Sequence, residues 1–372
     1  MTAPPARAAI LHVGPTHLLT MPSQAAALAR DGDVVEIDAG EYRGDVAVWT
    51  QSALTIRGRG GMAKLIADGR SAEAKAIWVV RGGDIRIEQI EFTGARVVHR
   101  NGAGIRFEKG RLQISFCRFI DNENGILTGG DLDDRLDIEF SEFGNNGDGS
   151  GYTHNIYVGP IGRLRVTGSY FHHARVGHLL KSRALVNDVS YNRLTDEEDG
   201  HASYELEFPN GGAALVMGNI IEQSATTENP DIISYGAEGL RDDGNQLMLI
   251  HNTIVDHRLF RGTPLVVHGK SGEVSVLAIN NLLIGTSPLN LPRGALDRGN
   301  QSGSLSQLGA GYRPVERSRW KAPAENFKDV VLPPSLMGRA FPPVMEYVHP
   351  MQVAPLADIL RNGIAGAIQS TK

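Results

Sequence analysis

Leu136-Asp137-Ile138-Glu139-Phe140-Ser141-Glu142-Phe143 alternates apolar and polar side chains over its first five residues and then turns a corner. The same grammar returns in Ile85-Arg86-Ile87-Glu88-Gln89-Ile90-Glu91-Phe92, Leu112-Gln113-Ile114-Ser115-Phe116-Cys117-Arg118-Phe119 and Leu164-Arg165-Val166-Thr167-Gly168-Ser169-Tyr170-Phe171. Period-two alternation is the mark of a strand buried on one face. A repeat of roughly 22 to 33 residues is the spacing at which stacked turns of a solenoid announce themselves.

Later turns keep the pattern and add an asparagine at the bend, at Asn192, Asn219, Asn252 and Asn281. Asparagine suits a tight bend because it tolerates left-handed backbone and can bond to its copy one turn away. A second strand recurs in each turn: Gly125–Thr128, Asn155–Val158, His178–Lys181, Tyr204–Glu207, Ile232–Tyr235 and Leu265–His268. Parallel strands stack about 4.8 Å apart, so residues some 25 positions apart in sequence become neighbours.

Upstream, Pro22-Ser23-Gln24-Ala25-Ala26-Ala27-Leu28-Ala29 predicts a short helix with Ser23 as its N-cap. It is followed by "GDVVEIDAGEY" and "LTIRGRG". This succession resembles the start of pectate-lyase-like right-handed parallel β-helices. The expected architecture is therefore all-β: an N-terminal extension and cap over residues 1–32, a right-handed parallel β-helix over 33–286, and an irregular C-terminal tail over 287–372 that packs on the solenoid. A helix is expected in the tail only near Leu356 to Arg361.

Composition narrows the function. A net charge of −5 without a basic run leaves no electrostatic footprint for nucleic acid. The single cysteine, Cys117, excludes an internal disulfide framework and reads as a small buried side chain. No stretch approaches the roughly 18 apolar residues of a membrane helix. A monomer, periplasmic or secreted in a mature form without its signal segment, is the expectation.

Chemistry concentrates in Gly177-His178-Leu179-Leu180-Lys181-Ser182-Arg183, between His154-Asn155-Ile156-Tyr157 and Tyr204-Glu205-Leu206-Glu207. Burying an unpaired lysine is costly, so alternation places Lys181 and Arg183 outside and points His178 inward at the strand's start, either buried and hydrogen-bonded or exposed through a bulge. A neighbouring guanidinium and partial burial both lower a lysine's pKa, as a base near neutrality requires. His154, Asn155 and Tyr157 come from the preceding turn, while Glu205 and Glu207 are expected on one face of the following turn. Those two carboxylates would pair with the cations, orient a base or bind Ca²⁺. Asn210, Tyr235, Glu238 and His268 fall near the expected groove. His172-His173 reads as a bend with one buried imidazole, and Asp196-Glu197-Glu198-Asp199 as an acidic turn.

Residues 179–221, "LLKSRALVNDVSYNRLTDEEDGHASYELEFPNGGAALVMGNII", are similar in layout to the Lys-Ser strand segment of polysaccharide lyase family six, the alginate lyases and chondroitin B lyase. The resemblance implies that Lys181 abstracts the proton α to a uronate carboxylate, with an arginine assisting and Ca²⁺ neutralising the carboxylate. The family's Arg-His-Gly is replaced here by Phe208-Pro209-Asn210-Gly211, and its acidic residues before Lys-Ser by Ala174, Arg175 and Val176.

The expected function is a polysaccharide lyase acting by β-elimination on an acidic, uronic-acid-containing polymer. Lys181 or Tyr157 would be the base, Tyr157 or His154 the acid, and Arg183 the carboxylate neutraliser, with His178 beside them and Asn155, Glu205, Glu207, Asn210, Tyr235 and His268 contacting substrate. No cofactor is required, and Ca²⁺ on Glu205 and Glu207 is the one candidate. The alternatives are a glycoside hydrolase using Glu205 and Glu207, and a non-catalytic carbohydrate-binding β-helix.

Overall fold

A computed structural model describes residues 8–227, 229–336, 341–356 and 363–370. The expected tail helix near Leu356 to Arg361 falls mainly outside the described residues. The chain winds into a parallel β-solenoid of about ten turns. Each turn carries three strands, which stack on their counterparts into three faces. Face A includes Arg135–Glu139 and Arg163–Thr167, face B includes Glu142–Gly144 and Tyr170–His172, and face C includes Ile156–Val158, Leu180–Ser182 and Leu206–Phe208. Strand pairing runs past residue 286, to Leu296–Arg298 and Gln301–Gly303. The helix at the entrance spans Pro22–Leu28. It starts two residues earlier than Ser23 as a cap would require, because Pro22, with no N–H to satisfy, takes the first position and Met21 becomes the N-cap. Gln24 reaches back to accept a hydrogen bond from the Met21 N–H at 3.1 Å.

The repeat is held at the corner between faces A and B. There Phe116, Phe140, Tyr191, His251 and Asn280 take left-handed backbone, each just before a small or amide side chain. Asn219 shows the rule: its N–H and side-chain amide both donate to Asn252 Oδ1, at 3.0 and 3.1 Å, and the amide also reaches Val189 O at 2.8 Å. The ladder runs through Asn192, Asn219, Asn252 and Asn281 to Asn300, and continues upstream through Cys117, Ser141 and Ser169. Cys117 is thus a buried ladder residue, its thiol pushed up to about 12 by desolvation and chemically quiet.

Inside, Phe92, Phe119, Phe143 and Phe171 stack face to face with centroids 5.1, 4.7 and 4.7 Å apart, one ring per turn. The outer surface changes character along the axis. On face A the early turns present polar, mostly charged columns such as Arg86, Gln113, Asp137 and Arg165. The later turns present Leu215, Met217, Met248 and Ile250, which are buried beneath the tail residues Leu336, Phe341, Met345 and Val353. On face B, Val255, Leu282 and Ile284 are likewise covered by Trp320, Ile364 and Ala365. Strands apolar on both sides belong where both sides are dry. Among the described residues no helix is long and apolar enough to cross a membrane.

Because each ladder asparagine satisfies buried groups on two turns, Asn219→Ala is expected to destabilise the protein by about 2–4 kcal/mol. A urea unfolding midpoint equal to wild type would show that the ladder contributes nothing to stability.

Candidate active site

Face C carries the site. Its outward column runs Arg106, Leu127, Tyr157, Lys181, Glu207, Ser234 and Val266, one residue per turn. Register alone therefore sets Tyr157, Lys181 and Glu207 side by side. The Lys181 ammonium lies 3.0 Å from Glu207 Oε2 and 2.9 Å from Glu238 Oε1. Arg183, two residues on, donates from Nε to the Tyr157 hydroxyl at 2.8 Å, from Nη1 to Asn210 Oδ1 at 2.5 Å, and from Nη2 to Glu238 Oε2 at 2.5 Å.

His178 departs from the alternation argument. It precedes the regular strand Leu180–Ser182, and its ring turns to the same side as Lys181, with Nε2 3.0 Å from Glu207 Oε2. Strict alternation applies only to residues in extended register, and Gly177 and His178 lie before that register begins. The His178 N–H donates to His154 Nδ1 at 2.9 Å, and the two rings stack at 4.5 Å. His154 also packs against Tyr157, and His178 against Tyr204. Both imidazoles are held below the usual histidine range, first by burial and for His154 also by nearby positive charge, so both are neutral at neutral pH.

The lysine does not have the lowered pKa expected from its neighbours. Desolvation pulls it down, but the carboxylates of Glu207 and Glu238 outweigh that pull and hold the ammonium above its ordinary value. Glu207 loses by burial and gains more from His178 and Lys181, so it stays ionised more firmly than a free glutamate. Glu238 is shifted the same way by Arg183 and Lys181.

Four of the expected substrate contacts lie elsewhere. Glu205 does not share a face with Glu207: it is wholly buried, and its charge environment is set by Asp196, Asp256 and Glu222. Its residue precedes the strand Leu206–Phe208, so alternation does not bind it to Glu207. Asn155 is buried in a second ladder at the corner between faces B and C, accepting from Asn146 Nδ2 at 2.8 Å and donating to His172 O at 2.8 Å. Tyr235 points inward because Ser234 points outward, and its hydroxyl donates to Gly212 O at 2.6 Å. His268 sits three turns beyond Arg183 along the groove, about 14 Å away by rung spacing. Asn210 does join the site, on the Arg183 guanidinium.

Glu205 and Glu207 cannot chelate one ion together, and the Glu207 carboxylate is already engaged by His178 and Lys181, so this pair does not suit Ca²⁺. Among the described residues no group of three His, Cys, Asp or Glu side chains could hold a metal ion. The acidic turn is also accounted for. Asp196 is buried, its carboxyl raised to about 8 by desolvation, Glu197 pairs with Arg193, and Asp199 pairs with His173. His172 and His173 face each other through Nδ1 at 2.7 Å. Beside the site, a cavity of about 500 Å³ is lined by Val176, His201, Ser203, Thr226, Thr227 and Asn229.

No family model matches this chain, and no curated protein matches it. Among solved structures it is similar to pectate lyase Pel9A, with a TM-score of 0.60 and 13% identity over 98% of this chain and 97% of that one. A pectin methylesterase bound to a hexasaccharide aligns at TM-score 0.35 with 9% identity, covering 89% of this chain and 99% of that one. The PL6 family alginate lyase AlyGC aligns at TM-score 0.30 with 13% identity, covering 84% of this chain and 56% of that one. The first likeness, over nearly the whole of both chains, shows the fold: a parallel β-helix like that of the pectate lyase.

Glu205 gives a pH test of the site's surroundings. Burial raises its folded-state pKa well above the unfolded value, so it favours folding when protonated, below the unfolded pKa. That contribution is lost as pH rises from the unfolded pKa through the folded one. Glu205→Gln is expected to raise the melting temperature at pH 8 and to leave it nearly unchanged at pH 4; equal effects at both values would contradict the assignment.

Proposed function

We propose that the protein is a polysaccharide lyase that cleaves a uronic-acid-containing polymer by β-elimination. The observation that carries this reading is the Tyr157–Arg183–Lys181 constellation on the outer column of face C, where a phenol, a guanidinium and an amine lie within one strand spacing of each other. β-Elimination needs a base for the proton α to the carboxylate, an acid for the departing oxygen, and positive charge for the enolate-like intermediate. Lys181, once deprotonated, takes the α proton. The C–H electron pair forms the new double bond as the β C–O bond breaks, and the Tyr157 hydroxyl gives its proton to the departing oxygen. Arg183, positioned by Asn210, pairs with the carboxylate whose charge grows in the transition state.

His154 is assigned to positioning rather than acid catalysis. Its Nδ1 already accepts the His178 N–H, and its ring is buried against Tyr157. Lysine and arginine supply the positive charge for which the related chemistry uses calcium. The groove runs across many turns and suits a long chain, and the hydroxyl-lined cavity beside His178 suits a further sugar ring. Such a polymer would be met in the periplasm or outside the cell.

A glycoside hydrolase is less well supported. It requires one carboxylic acid that stays protonated to serve the leaving group. Glu207 and Glu238 are both held ionised by the cations between them, and Glu205 is out of reach.

A panel of acidic polysaccharides is expected to give unsaturated, ultraviolet-absorbing ends with wild type. Lys181→Ala and Tyr157→Phe are each expected to lower kcat about 10²–10⁴-fold at unchanged fold by circular dichroism. Hydrolysed, saturated ends from every polymer would sink the lyase reading. Since the base is an amine held above its ordinary pKa, kcat/KM is expected to climb with pH through the alkaline range, following the growing neutral fraction of Lys181. A rate that is flat between pH 7 and 10 would rule out Lys181 as the base.

A further inference from the structure

Glu238 comes from a turn two rungs beyond Lys181, yet it ends on the two cations of the site. After the strand Asp231–Tyr235 the chain reverses at Gly236 (φ 84) and Gly239 (φ 99), conformations that favour glycine, and travels back along the solenoid axis. The returning loop is tied to the site at several points: the Arg241 guanidinium donates to the Arg183 carbonyl oxygen, and Asn210 Nδ2 donates to Gly239 O at 3.2 Å. Glu238 then divides its carboxylate between the cations, Oε1 to Lys181 Nζ at 2.9 Å and Oε2 to Arg183 Nη2 at 2.5 Å. One planar carboxylate bridging an amine and a guanidinium is the geometry a uronate would adopt there.

The two carboxylates on Lys181 are unequal. Glu207 is 4% exposed and also held by His178, whereas Glu238 is 44% exposed. An ion pair that reaches water at its outer edge is weak and can be exchanged for another anion, whereas a buried one cannot. Glu238 has no backbone obligation that its departure would break through its side chain.

We propose that Glu238 is a built-in substitute for the substrate carboxylate, occupying the slot between Lys181 and Arg183 until a uronate residue displaces it. The inference rests on the lyase reading for its ligand class. It makes the resting site electrically complete without substrate and makes the slot selective for an anion that can span both cations. It also makes Glu238 a positioning residue for the base. Lys181 is faced by Glu207 from the next turn, by Glu238 from the loop, by His154 and Tyr157 from the preceding turn, and by His178 and Arg183 from its own segment. Glu238 is the anion in that set that substrate can replace.

The test compares wild type with Glu238→Gln, which keeps shape and removes charge, using calorimetric binding of tri-uronates (galacturonate, mannuronate and guluronate) and their carboxyl-reduced counterparts. The best-bound tri-uronate is expected to bind Glu238→Gln about fivefold more tightly than wild type, the scale of an exposed ion pair, with no gain for the carboxyl-reduced sugar. An NMR titration of the Lys181 side chain is expected to show its pKa falling in the variant, with the rising limb of kcat/KM moved to lower pH. Equal affinity in both proteins overturns the proposal, as does an equal gain for the carboxyl-reduced sugar, which would make the loop a steric cover. Absence of tri-uronate binding to both proteins overturns it together with the substrate class. If the affinity shift appears but no unsaturated product forms, the slot stands and the lyase reading falls.

Discussion

The site depends on a single constraint, the in-register stacking of parallel strands one rung apart. Tyr157, Lys181 and Glu207 lie 24 and 26 positions apart in sequence, yet backbone pairing makes each the immediate lateral neighbour of the next. A slip of one residue in any of the three strands would turn its side chain into the apolar interior. What forbids the slip is at the corners. The left-handed residue before each ladder amide and the bonds from that amide to two adjacent turns fix where every face A strand ends and every face B strand begins. The ladder is remote from the chemistry, and it is what gives the chemistry its geometry.

Features that repeat with the period of the turn were legible in the sequence. The alternating strands, the asparagine bend and the placement of Lys181 and Arg183 on the outer side all follow from period and polarity, which every turn states again. The serine and cysteine members of the ladder, Cys117, Ser141 and Ser169, were harder to see because three residue types share one job there. The uninterrupted apolar runs Ala213–Met217 and Leu247–Ile250 carried a further signal, that the tail would cover those turns.

Features that break the period were not legible. Alternation put His178 inside, but it lies before its strand begins and shares Glu207 with Lys181. Spacing put Glu205 with Glu207, but a residue at a corner follows the corner and not the strand. The lysine's pKa was expected to fall because its sequence neighbour is an arginine. Its spatial neighbours include two carboxylates, one of them 57 residues away on a loop that returns across two turns. Local charge in a sequence is a poor guide to local charge in a solenoid, since most neighbours of a given side chain belong to other turns.

That arrangement has a chemical consequence. A lysine flanked only by Arg183 would lose its proton readily but would stand as an uncompensated pair of like charges in a half-buried groove, where repulsion would drive the two side chains apart. Glu207 and Glu238 hold the cations in place at the expense of basicity. A uronate carboxylate entering the slot would preserve that compensation while bringing its own acidic C–H to the same amine, so that one binding event supplies both the counter-ion and the proton to be moved. Orientation, rather than a free amine poised in advance, is then what the fold contributes, and it is the contribution that a rigid stack of hydrogen-bonded strands is best built to make.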